Sequence, residues 1–170
     1  HSPDLHQMLK SLDVTIVFSA LPSGPAHTIE SLLSRNGLVV FSNASAYRMH
    51  PDVPLVVADV NPEALEHWPG DLGRLACATN CTLIPVLHPL HIIASHHRII
   101  RVKVRSEQAL SGAGWTLLFD DEKRKAAIDN EIEGEAEKLI EEAERILQLN
   151  AEWDIVCKRV DAEEGHIVNV

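Results

Sequence analysis

The sequence predicts an α/β protein, and three observations carry that reading. Short β-branched runs at residues 14–18, 38–42 and 55–57 alternate with helical segments through the first half. Aromatic residues make up only 4% of the chain against 45% hydrophobic residues, so the core must be built from Val, Ile, Leu and Ala. The second half adds a strand of period two and an amphipathic helix. A chain of 170 residues can bury one sizeable core, enough for one domain or one and a half.

Taken in order, residues 14–18 read as a buried strand that runs into a loop at 19–24. Pro25 opens a helix through Arg35, and Asn36-Gly37 closes it as a C-cap signal. Residues 38–42 form a second buried strand. A strand, helix, strand order implies a right-handed crossover between parallel neighbours. Ligands of such sheets bind beyond the carboxyl ends of the strands, where residues 19–24 and 43–48 fall.

Residues 51–54 read as a turn, 55–57 as a short strand and 61–63 as a helix start with Pro62 at its first position. Residues 74–78 lead into a helix that starts at Cys81 and stays apolar to about Ile93. Residues 99–105 alternate, placing Ile100, Val102 and Val104 on one face. The tetrapeptide at 111–114 reads as a tight loop of close approach. From 120 to 149 the pattern is helical, with Leu139, Ile140, Ala143, Ile146 and Leu147 on one stripe and a solvated acidic face opposite. Strands at 155–160 and 167–170, joined by a turn at 161–165, close the chain.

Most of the formal net charge of -10 lies between Phe119 and His166. No basic face of the kind that binds nucleic acid is visible. No apolar run is long enough to span a bilayer, and the first residues form neither a basic stretch nor an apolar one of the kind a leader carries. Cys77, Cys81 and Cys157 are odd in number and have no paired spacing, which predicts reduced thiols and a cytoplasmic setting. His88, His91, His96 and His97 lack a second pair at a metal-finger interval, so no metal site is expected.

Cys81 is the candidate reacting atom. At a helix start, unpaired N–H groups and the helix dipole favour a thiolate. A lone cysteine is by default a small core residue, but other chemistry-bearing groups are spaced around this one. Arg48 closes the segment Asn43-Ala44-Ser45-Ala46-Tyr47, Asn80 precedes Cys81, and Gln108 precedes the loop Ser111-Gly112-Ala113-Gly114. Glu135 is followed by Lys138, and Arg159 by His166.

In this order, and in the wording of 18–23, 42–49, 52–56 and 60–63, the chain resembles the aspartate-semialdehyde dehydrogenase family, in its archaeal and fungal-like branch. The resemblance covers most of the chain and weakens between Trp115 and Cys157. It implies a partial Rossmann-type parallel sheet over residues 1–80 and an abbreviated α+β catalytic and dimerisation domain over 81–170. It makes Cys81 the nucleophile, His166 the general acid and base, and Gln108 the group that orients the acyl intermediate. Arg159 with Glu135 would bind the amino-acid end of the substrate, while Arg48, Asn80 and Lys138 would line a phosphate site. Ser19, Ala20, Leu21, Pro22 and Ser23, together with Ser111, Gly112, Ala113 and Gly114, match segments that contact NADP. A homo-oligomer that binds small molecules, with no membrane or nucleic-acid partner, is implied.

The chemistry asks for these residue types in its own right. Converting an aldehyde and phosphate to an acyl phosphate needs a thiol nucleophile, a base to move its proton, and fixed cations for phosphate and carboxylate. The chain departs from the family in lacking the glycine-rich turn that holds a dinucleotide pyrophosphate. The region after Trp115 is short, and the helix that follows the last family strand is absent. These departures predict a fragment, a split product or a decayed relative. Two other readings stay open at this stage: a non-catalytic interaction module of the same fold, and a related acyl-thioester reductase.

Overall fold

The computed structural model describes residues 2–68 and 70–170, which divide into two compact units, His1–Asn80 and Cys81–Val170. In the first unit, helix α1 (Ser2–Ser11) precedes strand β1 (Ile16–Ser19), helix α2 (Ser23–Arg35), and strands β2 (Val39–Ser42), β3 (Leu55–Val56) and β4 (Leu75–Ala78). The four strands are parallel in the order β1-β2-β4-β3. The expected crossover from β1 through α2 to β2 is present. Helix α2 begins at Ser23, two residues before Pro25, and ends at the Asn36 cap followed by Gly37 at φ 94°. The start expected at Asn61 gives only a single 3-10 turn, Pro62–Leu65.

Helix α2 buries Ala26, Glu30, Leu33 and Ser34, and packs on β2 and β4. The other side of the sheet carries Phe18, Phe41, Ala76 and Val56. Phe18 stacks on Phe41 with centroids 5.5 Å apart, yet remains 82% exposed.

The second unit contains helix α3 (Ile84–Ala94), strand β5 (Arg101–Gln108), helices α4 (Trp115–Phe119), α5 (Asp121–Ala127) and α6 (Glu135–Leu147), and strands β6 (Glu152–Arg159) and β7 (His166–Asn169). Its sheet runs β6-β5-β7, with β6 parallel and β7 antiparallel to the central strand. Alternation along β5 is strict. Val102, Val104, Ser106 and Gln108 face inward, while Arg101, Lys103, Arg105 and Glu107 face outward. On the outer face Arg101 pairs with Glu152, and Arg105 with Asp154. Ile100 precedes the strand and is 71% exposed, so it does not share the inner face expected of it.

The single helix expected over 120–149 is two helices. Asp120 caps α5 by accepting the Lys123 N–H, and α5 stops at Ala127. The backbone beyond it turns to β6 for its partners: the Asp129 N–H donates to the Arg159 carbonyl, and the Arg159 N–H donates to the Asn130 carbonyl. Helix α6 restarts after Gly134, whose φ of 68° suits glycine. Its predicted stripe holds, with Leu139, Ala143 and Ile146 buried, but Glu142 is buried beside them rather than on the solvated acidic face expected of it. The last two strands are not neighbours either, since β7 pairs with β5 and the central strand lies between them.

Candidate active site

Strand register assembles the centre of the second unit. Gln108 at the end of β5 is paired with Arg159 on β6 and with His166 on β7, so the amide, the guanidinium and the imidazole stand in one row. The inward phase of β5 buries Gln108 to 3% exposure, and Arg159 is 6% exposed. The Gln108 side-chain N–H donates to Ser106 Oγ at 3.3 Å.

Cys81 closes the arrangement from another part of the unit. Its Sγ lies 3.4 Å from His166 Nε2, although 85 residues separate the two along the chain. Cys81 is exposed, while Cys77 and Cys157 are buried; all three are free thiols. The position of Cys81 corrects one expectation. Helix α3 begins at Ile84 with Leu83 as its cap, so Cys81 lies in the turn before the helix rather than in its first turn. Pro85 lacks an N–H and fits within the first turn, which allows the helix to begin downstream of the cysteine. The polar partner that distinguishes this thiol is therefore the imidazole.

The other ring nitrogen is held by the backbone. His166 Nδ1 lies 2.7 Å from the Gly165 carbonyl oxygen and 3.3 Å from the Ala109 N–H. Nε2 is the nitrogen turned to the Cys81 thiol. The Gly165 carbonyl also accepts the Ala109 N–H at 3.1 Å, and Gly165 sits at φ 89°, where glycine is favoured. Three backbone bonds join the 109–111 segment to the 161–165 turn, from Ala109 to Gly165, Leu110 to Ala162 and Ser111 to Glu163.

Arg159 Nη1 donates to the Ala109 carbonyl at 2.6 Å. Burial pushes its guanidinium below the usual range, partly offset by the carboxylate of Glu135 and the thiols of Cys81 and Cys157. The half-buried Glu135 thus acts on Arg159 electrostatically, as part of the same cluster; Lys138, one turn along α6, is exposed. Burial likewise raises the Cys157 thiol above its ordinary value. A cavity of about 330 Å³ opens on Arg159, walled by Ala113, Ala126 and Ala127, with Asn130 and Glu131 on its polar side.

The loop Ser111-Gly112-Ala113-Gly114 forms the end of a 3-10 turn, Leu110–Ala113, with Gly114 at φ 86°. A Cβ built on Gly112 would lie 3.1 Å from Arg159 Nη1 and 3.3 Å from His166 Cε1. The glycine lets the turn close on both side chains. Gly112→Ala should lower kcat/KM on the order of tenfold by displacing the two groups by a few tenths of an ångström, with little change in the thermal midpoint. Steady-state kinetics beside a melting curve checks this.

In the first unit, Ser19 ends β1, Ala20, Leu21 and Pro22 form the following loop, and Ser23 starts α2. Ser23 Oγ is 2.7 Å from Ser45 Oγ. Arg48 follows the 3-10 turn Ser45–Tyr47 and is buried, its Nη2 donating to the Asn43 carbonyl at 2.9 Å. Asn80 is buried just beyond β4. A cavity of about 460 Å³ lies at the carboxyl ends of the strands, with Phe18, Phe41 and Val56 among its walls. Ser19 reaches the same cavity, and its buried Oγ has no hydrogen-bond partner among the described residues.

Among the described residues, no group of three or more His, Cys, Asp or Glu is placed to hold a metal ion. No helix among them is long and apolar enough to cross a membrane. Sequence reasoning missed the Gly165 carbonyl and Ser106. The glycine of a Gly-His pair signalled a special backbone position, whereas Ser106 gave no signal apart from its inward phase on β5.

Residues 4–68 match the family described as semialdehyde dehydrogenase, NAD binding domain. The aspartate-semialdehyde dehydrogenase of Aspergillus fumigatus is 36% identical over 93% of this chain and 49% of its own length. The enzyme of that name from Archaeoglobus fulgidus is 36% identical over 92% of this chain and 50% of its own. Among solved structures, aspartate semialdehyde dehydrogenase with NADP from Candida albicans superposes with a TM-score of 0.74 at 28% identity, over 92% of this chain and 49% of that one. The chain spans about half the length of the curated relatives it matches. With fungal and archaeal relatives aligned to nine-tenths of its length at 36% identity, and a matching fold, this chain belongs to the aspartate-semialdehyde dehydrogenase family.

Proposed function

We propose that this chain carries the reacting centre of an NADP-dependent, phosphorylating aspartate-semialdehyde dehydrogenase. Such a centre converts L-aspartate 4-semialdehyde and phosphate to aspartyl phosphate, reducing NADP, in the supply of lysine, threonine and methionine. The observation that carries the reading is the 3.4 Å contact between Cys81 Sγ and His166 Nε2, in a cluster that includes the buried Arg159.

The steps follow from the groups present. His166 Nε2 takes the thiol proton as Cys81 Sγ bonds to the aldehyde carbon, and the same nitrogen returns a proton to the resulting alkoxide, giving a hemithioacetal. NADP, when bound, accepts the hydride lost from that carbon. His166 takes up the hydroxyl proton as the C=O bond reforms and a thioester on Cys81 results. Gln108, fixed by Ser106, orients the thioester carbonyl. Phosphate oxygen then attacks the carbonyl carbon, and Cys81 leaves as thiolate. Arg48, Asn80 and Lys138 are assigned to phosphate, since charged and amide donors match its oxygens. Arg159 with Glu135 is assigned to the carboxylate and ammonium of the substrate. Arg159 is a buried guanidinium on a small cavity lined otherwise by Ala113, Leu117, Ala126, Ala127 and Ile132 with Asn130 and Glu131, and its donors match a carboxylate.

Of the residues assigned to NADP in the first unit, Ser19 and Ala20 line the cavity at the strand ends. An apolar cavity within the range of ligand sites, with an unsatisfied Ser19 hydroxyl, suits part of a nucleotide. Ser19, Ala20, Leu21, Pro22 and Ser23 would hold it there. In the second unit the role falls to Ser111, Gly112, Ala113 and Gly114.

The experiment is NADPH formation by the purified protein from aspartate semialdehyde plus phosphate, compared with its reduction of a malonyl thioester of coenzyme A. Preference for the semialdehyde is expected, and preference for the thioester would contradict the reading. Arg159→Met should raise KM for the semialdehyde roughly 10–150-fold, the equivalent of 1.5–3 kcal/mol for hydrogen bonds to a charged group, with a smaller effect on kcat.

A further inference from the structure

The interior of the first unit holds a carboxyl group that the reaction above does not use. Glu30 on α2 is fully buried. Its Oε1 accepts the Ser42 hydroxyl at 2.8 Å, and Ser42 Oγ in turn accepts the Ala44 N–H at 3.0 Å. Its second oxygen has no hydrogen-bond partner among the described residues. Burying a carboxyl group with half its hydrogen-bonding capacity unused is expensive, and Ala26 and Leu33 on the same buried stripe show that this surface otherwise takes apolar residues. Core stability therefore gives no reason for an acid here.

What Glu30 grips is the backbone leaving β2. Ser42 is the last residue of that strand, and Ala44 opens the turn that ends at Arg48. Two further links tie the same turn to α2: Ser45 Oγ meets Ser23 Oγ, and the Tyr47 hydroxyl donates to the His27 carbonyl at 2.5 Å. Arg48 folds back on the turn through its bond to the Asn43 carbonyl. A helix of 13 residues thus acts as a rigid backing for a turn whose functional load is one guanidinium.

We propose that Glu30, acting through Ser42, is a positioning residue that holds the 43–48 turn, and with it the Arg48 guanidinium, in the geometry that binds inorganic phosphate. The proposal rests on the assignment of Arg48 to phosphate made above. Glu30 touches neither substrate nor cofactor in this role. Because its Oε1 works as an acceptor, an amide oxygen can replace it and a hydrocarbon cannot.

Two readouts test this: hydrogen exchange at the Ala44 amide, and the affinity of the purified protein for inorganic phosphate by calorimetry. Glu30→Leu and Ser42→Ala should each speed Ala44 exchange by about tenfold while the Leu33 amide of α2 keeps its protection, and each should weaken phosphate binding by about tenfold. Glu30→Gln should keep both within about twofold of wild type, which a need for the charge would not predict, while Glu30→Leu, of similar bulk, fails where a need for bulk alone predicts success. Unchanged Ala44 exchange in Glu30→Leu and Ser42→Ala, with normal phosphate binding, overturns the proposal while leaving the Arg48 assignment intact. A wild-type protein that takes up no phosphate, or an Arg48→Met protein that binds it normally, overturns the Arg48 assignment and the purpose given to Glu30 with it.

Discussion

Cys81→Ser is expected to reduce turnover of aspartate semialdehyde by at least about 10⁴-fold, because the thioester cannot form and a hydroxyl at residue 81, un-ionised at neutral pH, is a far poorer nucleophile than a thiol. The fold should survive the change. Cys81 is exposed and lies in a turn outside any helix or strand, so a one-atom substitution there falls within about 0.5 kcal/mol of wild-type stability. Coupled NADPH assays and a melting curve on the same preparation separate loss of chemistry from loss of structure. If the activity persisted at a tenth of wild type, Cys81 would not be the nucleophile.

The second large effect concerns His166. An asparagine at this position cannot accept the thiol proton, so His166→Asn should lower kcat by about 10²–10⁴-fold, the range of a single general base. KM for the semialdehyde should move much less, because Arg159 rather than His166 is assigned to its carboxylate. The Gly165 carbonyl and the Ala109 N–H both lie against Nδ1, at 2.7 and 3.3 Å, and so hold the ring with Nε2 toward the sulfur. A large rise in KM with kcat intact would reassign the histidine to substrate binding.

The first unit was legible because its signals are local. Unbroken β-branched runs gave β1, β2 and β3, and an Asn-Gly pair gave the end of α2. Helix α1 was missed, since its residues carry no long apolar stripe. The second unit was less legible where distant partners outbid local preference. The pattern over residues 120–149 favours one helix, but the backbone at 129–132 bonds to Arg159 and Cys157 on β6 instead, and Asn130 and Gly134 mark the break. The pairing of β7 with β5 likewise depends on bonds from residues 109–111 to the 161–165 turn, which no window of sequence contains.

The site follows the same division. Family wording supplied the residue types, and two strand registers bring Gln108, Arg159 and His166 into one row. The phase of residues 99–105 holds, but the strand begins at Arg101 rather than Ile99, so Ile100 lies outside an inner face that begins at Val102. The helix dipole invoked for Cys81 belongs to a helix that starts after it, and its place is taken by an imidazole from the far end of the chain. Glu30 was visible in principle. It stands four residues after Ala26 and three before Leu33, on a stripe where an acid is out of character.

The most direct test of the account is intact-protein mass spectrometry after incubation with aspartate semialdehyde and NADP in the absence of phosphate, followed by peptide mapping. The account predicts an aspartyl group on Cys81 that inorganic phosphate discharges. An unmodified Cys81, or an acyl group carried by another residue, would contradict it.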